Sequence, residues 1–181
     1  MIGEDVLALP RQAAINFHDG PLPRYAGMYT PAWALIHGET DYGVTFHEMT
    51  LGADEVVIYV QRLFEIAPDD NSLTLNTRCY EAAIDAFGEL VDRIREGRLE
   101  KRPQDLRERS YFARHTRPPV AAILDWRKPA DELVRTVRAL DFGSYENAFA
   151  SARLVHQGRL HLVRVAHESD AEAAGGFGAA T

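Results

Sequence analysis

The 181-residue chain has a single cysteine, Cys79, so it can form no internal disulfide and no cysteine-based metal cluster. Cys79 falls in a helix-like segment and reads as a small packing residue. Positive charge is also scarce: 20 Lys and Arg stand against 27 Asp and Glu, and the net charge of −7 argues against a broad nucleic-acid footprint. No apolar run approaches bilayer-spanning length, and the N-terminus, with Glu4 and Asp5, lacks the basic-then-apolar order of a secretion signal; a cytoplasmic setting with no membrane partner is expected. The patterns Gly-x-Gly-x-x-Gly, His-Glu-x-x-His and Gly-x-Ser-x-Gly are missing as well. Their absence removes a dinucleotide loop, a zinc helix and a serine elbow as sources of chemistry, and no metal is expected.

What is present is hydrophobic residues at 46%, enough for one domain core plus an appendage. The most informative run is Asn16-Phe17-His18-Asp19-Gly20-Pro21-Leu22-Pro23-Arg24-Tyr25-Ala26-Gly27. It sets an amide and an imidazole two residues apart at the end of an apolar stretch, then turns the chain with prolines and glycines. Side chains at i and i+2 of a strand share a face, so Asn16 and His18 can be directed at one substrate atom. The stretch 13–18 is mostly apolar and reads as a strand buried on both faces, as in a parallel sheet, with its polar pair at the C-terminal end.

Downstream, Pro31–His37 reads as a short helix closed by Gly38. Residues 43–49 and 56–63 read as two strands forming a hairpin, joined by a connection that holds Gly52 and Asp54. In the first of these, His47 and Glu48 alternate with apolar neighbours and read as exposed positions. After Asp69 and Asp70, which read as helix-start residues, the spacing of Tyr80, Ala83, Ile84, Phe87, Val91 and Ile94 predicts the longest helix, with Ser72 as its cap. Residues 97–119 read as an extended surface linker, and the Arg-rich stretch 93–117 as a solvated surface. A second amphipathic helix is predicted over 130–140, then a hairpin turning at Gln157-Gly158. The Ala/Gly-rich tail, 170–181, reads as disordered.

The pieces INFHDGPLPRYAG, GVTFHEM and IAPDDNSLTLNTRCYEA, together with Gly38-Glu39-Thr40 and Asp54, resemble the formyltransferases that use 10-formyltetrahydrofolate. That family includes methionyl-tRNA and amino-sugar formyltransferases, and the segments are most similar to formylation domains associated with non-ribosomal peptide synthetases. A weaker likeness runs through Arg109-Ser110-Tyr111-Phe112 and Asp125-Trp126 to Phe142. The resemblance implies an α/β fold: a partial, N-terminally truncated Rossmann-like sheet, because the family places the Asn-x-His strand after roughly a hundred residues and here it starts near residue 13. It further implies a catalytic domain over 1–98, a linker over 99–120, and a small C-terminal α+β or β-barrel-like subdomain over 121–169. A sheet edge left open in this way favours a homodimer.

The resemblance also carries over a catalytic set of Asn16, His18 and Asp54. Formyl transfer to an amine passes through a tetrahedral intermediate whose oxygen becomes negative; Asn16 and a protonated His18 can donate to it, while Asp54 orients the imidazole and takes a proton from the amine. Taken alone, Asp54 reads more simply as a turn residue, and His18 is as readily structural as catalytic. Leu22, Pro23, Arg24, Gly27 and Gly52 would shape the folate pocket, although turn building accounts for the prolines and glycines equally well. Two residues after Asp54 the family usually has glycine and this chain has Val56; glycine there permits backbone angles or a close approach that valine does not. The expected function is transfer of a formyl group from 10-formyltetrahydrofolate to a primary amine. That amine would be an aminoacyl group on a carrier protein, an amino sugar or methionyl-tRNA. The alternatives are a formyltetrahydrofolate hydrolase, or an inactive truncated formyltransferase acting as a binding module.

Overall fold

The computed structural model describes residues 3–51 and 57–168. Helices and strands are interspersed along the chain. Helix α1 (Glu4–Leu7) leads to strand β1 (Ile15–His18), the two-residue strand β2 (Ala26–Gly27), helix α2 (Thr30–His37) and strands β3 (Asp41–Glu48) and β4 (Ile58–Glu65). The long helix α3 (Ser72–Arg95), the two-residue strand β5 (Tyr111–Phe112), helix α4 (Ala130–Ala139) and strands β6 (Arg153–His156) and β7 (Arg159–Leu162) complete it. The architecture is mixed α/β.

The main sheet has the order β1-β3-β4, and both pairings are antiparallel. The expected parallel strand buried on both faces is therefore corrected: β1 lies at the sheet edge among the described residues, with Ile15, Asn16 and Phe17 half-buried and only His18 buried. An apolar run does not reveal the direction of its partner, and here the partner is supplied by the β3–β4 hairpin, whose first strand runs back along β1. Strict alternation then sorts the side chains. Phe17, Tyr42, Val44 and Phe46 face α3, while Asn16 and His18, opposite His47 and Thr45 in the register, face the other way.

Helix α3 forms where the periodicity places it, but its cap is Asn71, not Ser72. The Asn71 side chain accepts from the Thr74 N–H at 2.9 Å and Thr74 Oγ1 accepts from the Asn71 N–H at 2.9 Å, a reciprocal box. Ser72 is buried instead, its hydroxyl donating to the Ala139 carbonyl at 2.6 Å and so tying α3 to the end of α4. The seam that α3 presents to the sheet is made of Leu75, Cys79, Ala83, Ala86 and Leu90. Tyr80, Ile84 and Phe87 form a second, exposed row beside it.

One apolar core joins Trp33 and Leu35 of α2, Tyr42 and Val44 of β3, Leu75 and Cys79 of α3, and Leu133 and Val137 of α4, with Phe149 and Ala152 from beyond them. The segment 97–119, read as a surface linker, also enters this core. Phe112 stacks between Trp33 (4.9 Å, 17°) and Tyr25 (5.6 Å, 18°), and β5 pairs in parallel with β2. The second hairpin turns at Gln157 and Gly158, both at positive φ (49° and 72°), as predicted. Among the described residues no helix is long and apolar enough to cross a membrane. The tail from 170 lies outside the described residues.

Candidate functional site

The face of the sheet turned away from α3 carries Asn16, His18, Thr45, His47 and Gln61, and the chain from Asp19 to Gly27 folds across it. Polar side chains would normally leave such a face to solvent. Here His18, Thr45 and His47 are only 6%, 0% and 3% exposed, so each needs a partner. Thr45 supplies much of the tie to the covering loop: its hydroxyl donates to the Gly20 carbonyl at 2.7 Å and accepts from the Leu22 N–H at 3.2 Å. Gln61 reaches over from β4, its amide donating to the Leu22 carbonyl at 2.8 Å and to Thr45 Oγ1 at 3.1 Å.

His18 Nε2 lies 2.6 Å from the Tyr25 carbonyl oxygen. A carbonyl only accepts, so Nε2 carries a proton. The other ring nitrogen, Nδ1, is 3.9 Å from Asp19 Oδ1. Asp19 is held in place by its own carbonyl, which accepts from the Tyr42 hydroxyl at 2.7 Å and the Thr30 hydroxyl at 3.2 Å. Burial, reinforced by the Asp19 charge, pushes the Tyr42 phenol up from its ordinary value, and the same two causes push up the Cys79 thiol. A thiol held protonated in this way is a packing group and not a nucleophile, as its sequence position suggested.

Asn16 and His18 share the face, each with its own neighbour. His47 stands opposite Asn16, with Asn16 Nδ2 3.3 Å from His47 Nε2, while the His47 ring meets that of His18 edge-on at 6.4 Å. The expectation that His47 is exposed is therefore corrected. Alternation correctly put it on the polar face, but that face is roofed by a loop, which no periodicity encodes. Asp54 and Gly52, like Val56, lie outside the described residues.

Of the remaining residues assigned to a folate pocket, Leu22 is buried in a small cluster with Ala26 and Ile58, and the Leu22-Pro23 peptide is cis. Arg24 pairs with Glu39 at 3.3 Å and lies 5.8 Å from the centre of the Tyr25 ring. Gly27 has φ +101°, and a Cβ there would come within 2.2 Å of the Phe112 carbonyl oxygen, so only glycine fits. Thr45, His47, Gln61 and Asp19 are site residues that the sequence analysis did not select. The signal that could have found Asp19 is its adjacency to His18, and for the other three it is the register of β3 and β4 on β1.

A cavity of about 570 Å³ lies elsewhere, between the start of α3, helix α4 and residues 164–168, and none of Asn16, His18 or His47 lines it. The polar face beneath the loop is the better candidate, because buried polar groups of complementary type converge there.

A family model described as formyl transferase matches residues 1–91, half of the chain. Among solved structures, an N-formyltransferase from Helicobacter canadensis in complex with folinic acid and dTDP-3-aminofucose is 26% identical, with a TM-score of 0.64 over 69% of this chain and 46% of that one. The sugar 3-N-formyltransferase WlaRD, solved with dTDP and 5-N-formyl-THF, is also 26% identical, with a TM-score of 0.64 over 69% of this chain and 45% of that one. A 4-N-formyltransferase from Francisella tularensis shares the fold at 20% identity, with a TM-score of 0.72 over 87% of this chain and 64% of its own. The match thus spans just under half the length of the first two relatives.

Proposed function

Since this chain belongs to the formyl transferase family, we propose that it transfers a formyl group from 10-formyltetrahydrofolate to a primary amine, with an amino sugar as the acceptor. The observation that carries the reading is the Asn16 amide and the His18 imidazole on one roofed face of the sheet: Asn16 Nδ2 offers an N–H, and the ring, its Nε2–H held by the Tyr25 carbonyl, offers a second from Nδ1 when protonated. Charge develops on the formyl oxygen as the amine adds, and preorganised donors in a site closed to water stabilise it. The donor set fits a formyl group, because this chemistry requires N–H donors and a proton acceptor and requires neither a side-chain nucleophile nor a Lewis acid. When bound, the reduced folate supplies the activated one-carbon unit.

The chain's own residues do the rest. The Tyr25 carbonyl orients the His18 ring through Nε2–H, and Thr45 and Gln61 hold the loop that carries that carbonyl. The proton lost by the attacking amine passes to a carboxylate. Asp54 takes that role by resemblance, and among the described residues Asp19 places a carboxylate oxygen 3.9 Å from His18 Nδ1. The amino-sugar acceptor draws its support from the two relatives at 26% identity, one bound to a dTDP-amino sugar and one described as a sugar formyltransferase.

The test is to incubate the protein with 10-formyltetrahydrofolate and a dTDP-linked amino sugar and follow the N-formyl product by mass spectrometry. Product from the wild type, reduced about 10²–10³-fold in Asn16→Ala, supports the reading. Formate without an amine product would make the protein a hydrolase. Product only with an aminoacyl carrier protein or methionyl-tRNA would correct the acceptor.

A further inference from the structure

A side-chain amide donates usefully only if its orientation is fixed. The terminal torsion of asparagine is broad and roughly two-fold, so an amide with no partner samples both flips. At Asn16 the flip is decided by His47. Glu48 O lies 2.8 Å from His47 Nδ1 and can only accept, which places the ring proton on Nδ1. Nε2 lies 3.3 Å from Asn16 Nδ2, and because an amide nitrogen only donates, Nε2 faces it as the acceptor with its lone pair. The opposite flip would set the Asn16 carbonyl oxygen against that lone pair, acceptor facing acceptor. His47 itself is 3% exposed and packed edge-on to His18, so the acceptor stays where it is.

We propose that His47 is a positioning residue for the formyl-transfer site: its unprotonated Nε2 engages one N–H of Asn16, and by doing so fixes where the second N–H and the oxygen of that amide lie. The proposal rests on the formyl-transfer reading for what the second N–H is for. The contact is independent of that reading. The chain is Glu48 carbonyl to His47 to Asn16, running from the backbone of β3 to a side chain of β1, and its effect on the reaction is through Asn16 alone.

Two measurements test it. In ¹⁵N-labelled protein, the His47 ring is expected as the Nδ1–H tautomer, and His47→Leu is expected to shift the Asn16 side-chain amide signals, with His47→Gln restoring them because a glutamine oxygen can accept in place of Nε2. In turnover, His47→Leu is expected to lower kcat on the order of 10–100-fold with little change in KM for the formyl donor, the loss expected when a reacting geometry relaxes. Adding His47→Leu to Asn16→Ala should cost nothing more, because the two act as one unit. The Gln variant guards against a misfolded Leu variant. An Nε2–H tautomer, unchanged Asn16 signals in His47→Leu, or losses that add in the double variant would overturn the proposal. A wild type without formyl transfer would instead overturn the functional reading, while the resonance data still decide whether His47 holds Asn16.

Discussion

Gly20 sits against His18 so closely that a Cβ on it would lie 2.7 Å from Nε2 and 2.6 Å from the Tyr25 carbonyl oxygen. The glycine is what lets the imidazole and that carbonyl meet. In Gly20→Ala one of them has to move, and the carbonyl belongs to the backbone of a loop fixed by Thr45 and Gln61. The expected outcome is a fall in formyl-transfer rate of about 10²-fold, the scale of a roughly 1 Å misplacement of a catalytic group, with the fold retained by circular dichroism.

The second prediction concerns pH. The Tyr25 hydroxyl donates to Glu39 Oε1 at 2.8 Å, so its oxygen accepts from His37 Nδ1 at 3.2 Å. Burial holds the His37 imidazole below its ordinary value of 6.5, opposed only in part by the Glu39 charge. The unfolded chain therefore takes up a proton at a pH where the folded one does not. Stability is complete above about pH 6.5 and falls as the pH drops from there toward the depressed folded value. Urea midpoints measured at pH 7.5 and 5.5, both illustrative choices on the order of one unit either side of the ordinary value, should differ less in His37→Gln than in the wild type.

Phe112 is the third. Its ring lies between Trp33 and Tyr25, and its carbonyl accepts from the Met28 N–H at 2.9 Å. Phe112→Ala leaves the backbone bond and removes the ring, so it isolates the stacking. A loss of about 2–4 kcal/mol in urea unfolding is expected, below the full range for a Phe→Ala change because the ring is only partly buried.

A fourth concerns the cap of α3. Asn71→Ala removes the acceptor for the Thr74 N–H and also the donor to Asp141 Oδ2 at 2.7 Å. It should cost about 1–2 kcal/mol, while Asn71→Asp, which keeps the cap and sets two carboxylates face to face, should cost more at pH 7 than at pH 3.

The sequence was legible where a period repeats often enough to average out single residues. Helices α2, α3 and α4 and both hairpins fall within a few residues of their expected limits, since apolar spacing and the Gln157-Gly158 turn specify them locally. Asn16 and His18 were legible as a pair for the same reason, two residues apart on a strand. His47 was not. Its partner, Asn16, is 31 residues away, and the contact exists only because β3 returns antiparallel along β1. Phe112 was missed because a two-residue strand carries no period at all, and its place in the core depends on three aromatic residues from other elements. The direction of β1 was misread because hydrophobicity reports burial and is silent on hydrogen-bond geometry.

Tyr25 joins two environments. Its carbonyl seats the imidazole of His18, and its ring is wedged under Phe112 and bound to Glu39. A substitution in that aromatic wall need not approach the reacting groups to alter turnover: tilting one phenol would drag a main-chain oxygen with it, and the imidazole would follow. Variants that tune this protein's rate should therefore be sought behind the loop as well as in front of it.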